Sequence, residues 1–281
     1  MASKAARQFC LAEFPEVSKY KSSSGQQLVW PAITPRFIPT CSDQLLQDLG
    51  SLAKECNGDL VVQSHMCESA DEVAWVQSTR GGQGDADIFD KAGLLVSSTV
   101  MAHCTSLSLA ERSLLIERGC GVASCPISNA YFSDRPFAMR ESIDEGLKVG
   151  LGSDIAGGYT LDMMQVMKSA VLVSKLRNQA EQLVDPNSPA KDITWIETLY
   201  LATRGGASAL IPPLHPLHAS FEKGAPFDAQ FIQTMQDDGR GIGNINHFTG
   251  QWDLQEAVEK WWTAGDVRNR KGFWIAARKL R

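Results

Sequence analysis

The sequence predicts an α/β fold built from parallel βα units. From Trp30 onward, short apolar runs of strand character alternate with helical patterns of about ten to fifteen residues, which is typical of such units. The chain has 281 residues, of which 43% are hydrophobic and 21% charged. It can therefore bury a sizeable core, as one large α/β domain or about two domains, and it is neither disordered nor of low complexity.

Five apolar runs are predicted to be strands, and most of them end in a polar or ionisable residue. They cover residues 30–36, 59–65, 98–104, 121–126 and 148–154. In parallel α/β folds the loops that follow the strands converge on one face, where catalytic groups lie. We therefore expect the residues at or beside these strand ends to lie near one another, namely Arg36, His65, His103, Cys125 and Asp154.

Capping residues predict where the first helices begin. Ser42 precedes a helical pattern whose apolar face consists of Leu45, Leu46, Leu49, Leu52 and Ala53. Ser108 and Glu111 have the spacing of a capping box. Gly119 stands where a C-terminal glycine would end that helix.

Two further helices are predicted after the last of these strands. Thr160 is expected to cap a long helix. Thr194 and Glu197 again have capping-box spacing, and the helix that they open is expected to run to the Gly205–Gly206 pair. The βα repeat then extends from about residue 30 to about residue 210.

The C-terminal part of the sequence has a different pattern. Residues 227–233 and 272–277 alternate like strands, and a Trp-rich helical pattern lies between them at 256–262. His215 and His218 have a spacing that would permit metal binding, but they are expected to be surface loop residues.

Three segments are therefore expected along the chain. Residues 1–27 are a polar lead-in without a clear pattern, and residues 28–212 form the βα portion that carries the chemistry. Residues 213–281 contain few charges suited to catalysis and are expected to form a small structural layer.

Charge and cysteine usage restrict the class of protein. The 27 basic and 32 acidic residues give a net charge of −5, which offers no general attraction to nucleic acid. The 7 cysteines show no CxxC spacing and no disulfide framework, which favours a reducing compartment. Neither a signal peptide nor an apolar run near the ~20 residues of a membrane span is apparent. The sequence predicts a cytoplasmic protein that binds neither nucleic acid nor membrane.

The residues at the strand ends suggest metal-dependent hydrolysis. His65, His103 and Asp154 offer the imidazole and carboxylate ligands that zinc prefers, and Glu68 adds a second carboxylate for proton transfer. Arg36 belongs to the same group of strand-end residues. A zinc deaminase of the His/Cys/Cys type is excluded because the sequence has no PCxxC pair.

Each of these residues also has a structural interpretation. A single histidine at a strand end is more often a hydrogen-bonded core or loop residue than a ligand. Asp154 can cap the following turn, and Glu68 can begin the next helix and interact with its dipole. Arg36 could be a surface ion-pair partner, and Cys125 a packed thiol in a turn.

Five segments carry a resemblance to a known family. They are TPRF at 34–37, QSHMCE at 63–68, VMAH at 100–103, ASCPISN at 123–129 and GLGSDIAGG at 150–158. In order and spacing they resemble the guanine deaminase family of the amidohydrolase superfamily, over about residues 29–281. The run around Asp154 is more specific than the isolated histidine motifs.

The resemblance implies a fold, and this sequence lacks part of the metal site that the family builds on it. The fold is a partial (β/α)8 TIM-type barrel, with about strands 4–8 present, and C-terminal strands of a small β-sandwich. The family's first zinc motif, a His-x-His before Arg36, and the guanine-reading Gln that follows it are absent from this sequence. The resemblance therefore implies an N-terminally shortened chain that lacks half of the metal site. Full-length relatives commonly form homodimers.

The resemblance also implies roles for the residues at the metal. His65 and Asp154 would bind Zn²⁺, and Asp154 would help to take the proton from the attacking water. Glu68 would be the general acid/base at the purine ring. His103 would hydrogen-bond the attacking hydroxide or the substrate rather than bind zinc permanently. With His65 and Asp154 as its only ligands, tight zinc binding by this chain is not expected.

Guanine is the substrate that the resemblance implies, with xanthine and ammonia as products. Arg36 would donate to the acceptor edge of the purine, and Phe37 would pack against its ring. His65, Glu68 and Asp154 would also face the bound guanine.

Two other interpretations stay open from the sequence. The chain could be a non-catalytic amidohydrolase-like protein with an interaction or regulatory role. It could also act on a related ring, such as a triazine or another aminopurine, although Arg36 and the Gly157–Gly158 pair favour guanine.

Overall fold

The structure is a computed structural model that describes residues 27–56, 60–210, 217–245 and 252–280, with residues 8, 16–17, 19–23 and 25. The chain divides into two compact units, Met1–Pro216 and Leu217–Arg281. We retain as a proposal the organisation predicted from the sequence, in which a lead-in covers residues 1–27 and a boundary follows residue 212.

The first unit contains a five-stranded parallel sheet. Its strands follow one another in chain order, β1-β2-β3-β4-β5, and each is hydrogen-bonded to the next. They are β1 (Ala32–Ile33), β2 (Val61–Met66), β3 (Thr99–His103), β4 (Gly121–Ser124) and β5 (Lys148–Leu151). Every predicted run overlaps one of these strands, so the predicted α/β class with parallel βα units is confirmed.

Strand β1 is shorter than the predicted run of residues 30–36. Pro35 has no N–H to donate to a sheet, and regular pairing ends before it. The chain nevertheless stays beside β2, because the carbonyl of Arg36 accepts a 3.0 Å hydrogen bond from the backbone N–H of His65. This contact brings Arg36 and Phe37 to the same end of the sheet as His65.

Side-chain caps fix the starts of the predicted helices. Ser42 accepts the N–H of Leu45 at the start of α1 (Asp43–Glu55). Capping boxes open α4 (Leu109–Glu117) and α8 (Trp195–Tyr200), as their sequences predict. The other helices between strands are α2 (Ala70–Thr79), α3 (Asp85–Lys91), α5 (Pro126–Phe132) and α6 (Met139–Asp144). The last three are too short for hydrophobic periodicity to reveal them.

The long helix α7 (Met163–Val184) has a different cap from the predicted one. Asp162, not Thr160, is the N-cap, and its carboxylate accepts the N–H of Met164 at 3.1 Å. The hydroxyl of Thr160 accepts the N–H of Asp162 instead. Both side chains suit a cap, and the aspartate lies next to the helix.

The helix after Thr194 does not end at the Gly205–Gly206 pair, contrary to the prediction. It continues from α8 through a π-helical turn, Leu201–Gly205, into α9 (Gly206–Leu210). A Cβ atom on Gly205 would lie 2.8 Å from the carbonyl oxygen of Val149 in β5. The glycines therefore allow close packing on the sheet and do not terminate the helix.

The second unit contains helix α10 (Leu254–Ala264) and an antiparallel sheet of β6 (Ala229–Ile232), β7 (Arg270–Ile275) and β8 (Arg278–Lys279). The predicted run 272–277 is wrong at its end. Ala276 and Ala277 have φ values of 46° and 66° and form the tight turn between β7 and β8.

Most of the large apolar side chains that the strands of the first unit bury lie on one face of the sheet. Alternate strand residues are fully buried, and they include Val62, Met66, Met101, Val122 and Val149. The opposite alternation leaves His65 half-buried at the end of β2. Within the described ranges, no helix has the length and apolar character required to cross a bilayer.

Candidate active site

Three ligand-bearing side chains meet at the carboxyl end of the parallel sheet. His65 lies near the end of β2, His103 is the last residue of β3, and Asp154 follows β5. One ligand atom from each lies within 4.8 Å of the other two. The structure thus brings together two residues predicted as metal ligands and a third, His103, that was predicted to act beside the metal.

A backbone carbonyl orients the His65 ring. Nδ1 of His65 lies 2.7 Å from the carbonyl oxygen of Arg36. Because a carbonyl oxygen can only accept, Nδ1 carries the proton and the lone pair of Nε2 is available. This is the arrangement of a histidine that binds metal through Nε2.

His103 is oriented in the same way by a side chain. It is 1% exposed, and its Nδ1 lies 2.9 Å from Oδ1 of Asn129, which is also buried. With Nδ1–H donating to this oxygen, Nε2 is free on the side of the site. Asn129 belongs to the ASCPISN segment, but the sequence alone assigned it no role.

Glu68 lies next to the histidines on the loop between β2 and α2. Its Oε1 is 3.7 Å from Nε2 of His103, a separation that is too long for a direct hydrogen bond. Its side chain is 32% exposed, so a ligand can reach the carboxylate. Glu68 therefore borders the candidate metal site without being one of the three clustered residues.

The two glycines after Asp154 shape its loop. A Cβ atom on Gly157 would lie 2.5 Å from Oδ2 of Asp154 and 3.0 Å from Oγ of Ser128. A Cβ atom on Gly158 would lie 1.9 Å from the carbonyl oxygen of Ser153. Larger residues at either position would displace the loop that carries Asp154.

Arg36 and Phe37 lie beside this end of the sheet. Arg36 is exposed, and its guanidinium carbon lies 5.7 Å from the centre of the half-buried Phe37 ring. Within the described ranges no carboxylate pairs with Arg36, so the alternative of a surface ion pair has no partner there. A charged donor next to an aromatic ring can bind a flat polar heterocycle.

The cysteines around the site are packed thiols. Cys125 is 4% exposed, and burial raises its pKa to about 12. Burial also raises the pKa of Cys67 and of Cys104 well above the ordinary value. None of these thiols is poised as a nucleophile.

The C-terminal histidines lie apart from this site in the sequence. Nε2 of His218 lies 3.0 Å from Oδ2 of Asp228 within the second unit. His215 and His247 lie outside the described residues, so a pairing of His215 with His218 stays untested.

Known proteins are similar to this chain in sequence. The model of the amidohydrolase family matches residues 10–267. A guanine deaminase from Pongo abelii is 36% identical over 256 residues, which cover 90% of this chain and 53% of that protein. The chain thus spans about half the length of this curated relative.

Solved structures agree with the parallel sheet and its helices. The guanine deaminase from E. coli superposes with a TM-score of 0.79 at 27% identity, over 99% of this chain and 59% of that one. The guanine deaminase from C. acetobutylicum, solved with bound guanine in its active site, gives a TM-score of 0.77 at 29% identity, over 98% and 61%. These similarities confirm the predicted partial TIM-type barrel. Because the family model covers most of the sequence, the chain belongs to the amidohydrolase family.

Proposed function

We propose that this chain carries out zinc-dependent hydrolytic deamination of guanine to xanthine and ammonia. The observation that carries the proposal is the convergence of His65, His103 and Asp154 within 4.8 Å, beside the carboxylate of Glu68. The guanine deaminases among its relatives support guanine as the substrate.

The donor set fits zinc. Two imidazoles and one carboxylate are a ligand set found in catalytic zinc sites, which keep three protein ligands and one open position. His65 and Asp154 are the proposed permanent ligands. His103 is close enough to be the third, and this role would replace the hydrogen-bonding role predicted for it from the sequence. When bound, zinc would act as a Lewis acid that makes water nucleophilic near neutral pH.

The side chains around this centre would supply the remaining chemistry. Arg36 would donate to the acceptor edge of the purine, and Phe37 would pack against the ring. The free carboxylate oxygen of Asp154 would accept a proton from the attacking water. Glu68 would protonate the ring nitrogen next to C2, and Asp154 would pass the proton that it takes from the water to the leaving amine. Glu68 would regain a proton from the C2 hydroxyl as the carbonyl group of xanthine forms.

The overall reaction adds water at C2 of guanine and breaks the bond between C2 and the exocyclic nitrogen. The amine leaves with a proton as ammonia, and xanthine remains. No redox partner is needed. A cytoplasmic location, expected from the sequence, belongs to the same proposal, and so does the homodimer that the resemblance implies for full-length members of the family.

The alternative of a non-catalytic protein is favoured by one observation, which is that the chain covers 53% of the curated relative. Ammonia release distinguishes the two functions. We expect the purified 281-residue chain, supplied with zinc, to release ammonia from guanine, and an Asp154→Asn protein to release none. Equal rates for both proteins, or no release by the wild type, would contradict the proposed function.

A further inference from the structure

Two carboxylates from separate helices bind the backbone N–H groups around Glu68. The N–H of Cys67 donates to Oδ2 of Asp85 at 3.1 Å, and the N–H of Glu68 donates to Oε2 of Glu72 at 2.7 Å. Asp85 opens α3, and Glu72 lies in the first turn of α2. The loop is thus held by side chains where regular β pairing has already ended.

The carbonyl groups of the same two residues are also bound from other parts of the fold. The hydroxyl of Thr105 lies 3.0 and 2.8 Å from the carbonyl oxygens of Cys67 and Glu68 and can share its one proton between them. The backbone N–H of Ser106 also donates to the Cys67 oxygen, at 3.2 Å. Ser133, just after α5, donates a second hydrogen bond to the Glu68 oxygen at 2.5 Å. All four backbone polar groups of Cys67 and Glu68 therefore have hydrogen-bond partners, and most of these partners are side chains.

Glu72 differs from the other glutamates at the same helical position. Ser69 caps α2 and accepts the N–H of Glu72, which is the first half of a capping box. In α4, α8 and α10 the corresponding glutamate binds back to the N–H of its own cap residue. Glu72 reaches one residue further and binds Glu68 instead.

This arrangement has an energetic cost. Burial raises the pKa of Glu72 to about 7, and the nearby charge of Asp85 acts in the same direction. The hydrogen bond from the Glu68 N–H lowers this pKa but does not cancel the effect of burial. Burial likewise raises the pKa of Asp85, which is 1% exposed, to about 6. Oε1 of Glu72 and Oδ1 of Asp85 have no hydrogen-bond partner among the described residues. Local stability does not account for two such carboxylates, since buried, partly unsatisfied acids destabilise a fold.

We propose that Glu72 and Asp85 are positioning residues that hold the backbone of Glu68 so that its carboxylate faces His103. The inference rests on the proposed function, because it assigns Glu68 the proton transfers at the purine. A backbone fixed at both peptide groups leaves only side-chain torsions free, which limits how far the carboxylate can move from Nε2 of His103.

The first test measures the backbone and does not depend on catalysis. In the Glu72→Ala protein we expect the Glu68 amide to exchange its hydrogen at least about tenfold faster than in the wild type. The matched control is Glu256→Ala, which removes the corresponding glutamate of α10, where it closes a capping box with Asp253. Exchange at Glu68 within about twofold of the wild type in the Glu72→Ala protein would overturn the proposal.

The second test measures turnover. Glu72→Ala should lower kcat for guanine about 10- to 100-fold with KM within about twofold, because misplacing Glu68 affects the transition state more than binding. Glu72→Gln keeps an oxygen that can accept the Glu68 N–H and should recover most of kcat. A Gln protein as impaired as the Ala protein would contradict a positioning role.

A folding control keeps the result interpretable. If Glu72→Ala does not fold, Glu72→Asp replaces it, since this acid still suits the helix N-terminus but is one methylene too short to reach Glu68. Failure of the proposed function would appear separately, as no ammonia from the zinc-supplied wild-type chain. In that case, hydrogen exchange at the Glu68 amide alone decides whether Glu72 holds the backbone of Glu68.

Discussion

The imidazole rings of His65 and His103 are stacked, with centroids 5.3 Å apart and 19° between their planes. Each Nδ1 faces an oxygen, the carbonyl of Arg36 for His65 and the side chain of Asn129 for His103. Both Nε2 atoms are therefore free to bind one ion. Imidazole binds metal through such a free ring nitrogen.

This geometry predicts that zinc affinity depends on both histidines. We expect His65→Ala and His103→Ala each to weaken zinc binding about 100-fold or more, because a catalytic site keeps three protein ligands. Competition with a chromophoric chelator measures the affinity. His218→Ala is the control and should bind zinc like the wild type, because Nε2 of His218 faces the carboxylate of Asp228. If only His65→Ala weakens binding, His103 keeps the hydrogen-bonding role predicted from the sequence.

Asn129 is predicted to fix the tautomer of His103. Replacing it with Ala removes the acceptor for Nδ1–H, and we expect metal affinity or activity to fall about 10- to 100-fold. The ¹⁵N shifts of the His103 ring report the tautomer directly. Ser128→Ala is a matched control in the same helix, because Ser128 is equally buried and its hydroxyl has no partner within the described chain. A wild-type tautomer in the Asn129→Ala protein would contradict this role.

Most of the strands and caps were predictable because their signals are local. Ser108 and Glu111 are three residues apart, and the strands appear as continuous apolar runs. The supports of the site are not local, since Cys67 binds Asp85 18 residues away and His103 binds Asn129 26 residues away. Only the folded sheet brings such pairs together.

Close packing of α9 on the sheet predicts that Gly121 tolerates no side chain. A Cβ atom there would lie 2.2 Å from the carbonyl oxygen of Ala209 and 2.7 Å from its Cα atom, and backbone atoms cannot move aside alone. We expect Gly121→Ala to lower the free energy of unfolding by about 2–3 kcal/mol, measured by urea denaturation. Gly206→Ala is the control, because its Cβ atom would meet no atom closer than 3.4 Å. Equal stability of the two variants would show that the sheet and α9 can separate at low cost.

Asp85 and Glu141 predict opposite effects of pH on stability. Burial raises the pKa of Asp85 from 3.8 to about 6. Its contribution to stability is therefore present below pH 3.8 and is lost as the pH rises through about 6. The free energy of unfolding of the wild type relative to Asp85→Asn should therefore fall by about 2 kcal/mol between pH 4 and 6.

Glu141 is predicted to act in the opposite direction. Although burial alone would raise its pKa, hydrogen bonding to Arg177 lowers the pKa of Glu141 to about 2. The contribution of Glu141 to stability is present above pH 4.5 and is lost as the pH falls through about 2. The wild type should therefore gain stability relative to Glu141→Gln as the pH rises from 2 to 4.5. Urea denaturation across this range measures both differences, and slopes of the same sign would contradict the assignment.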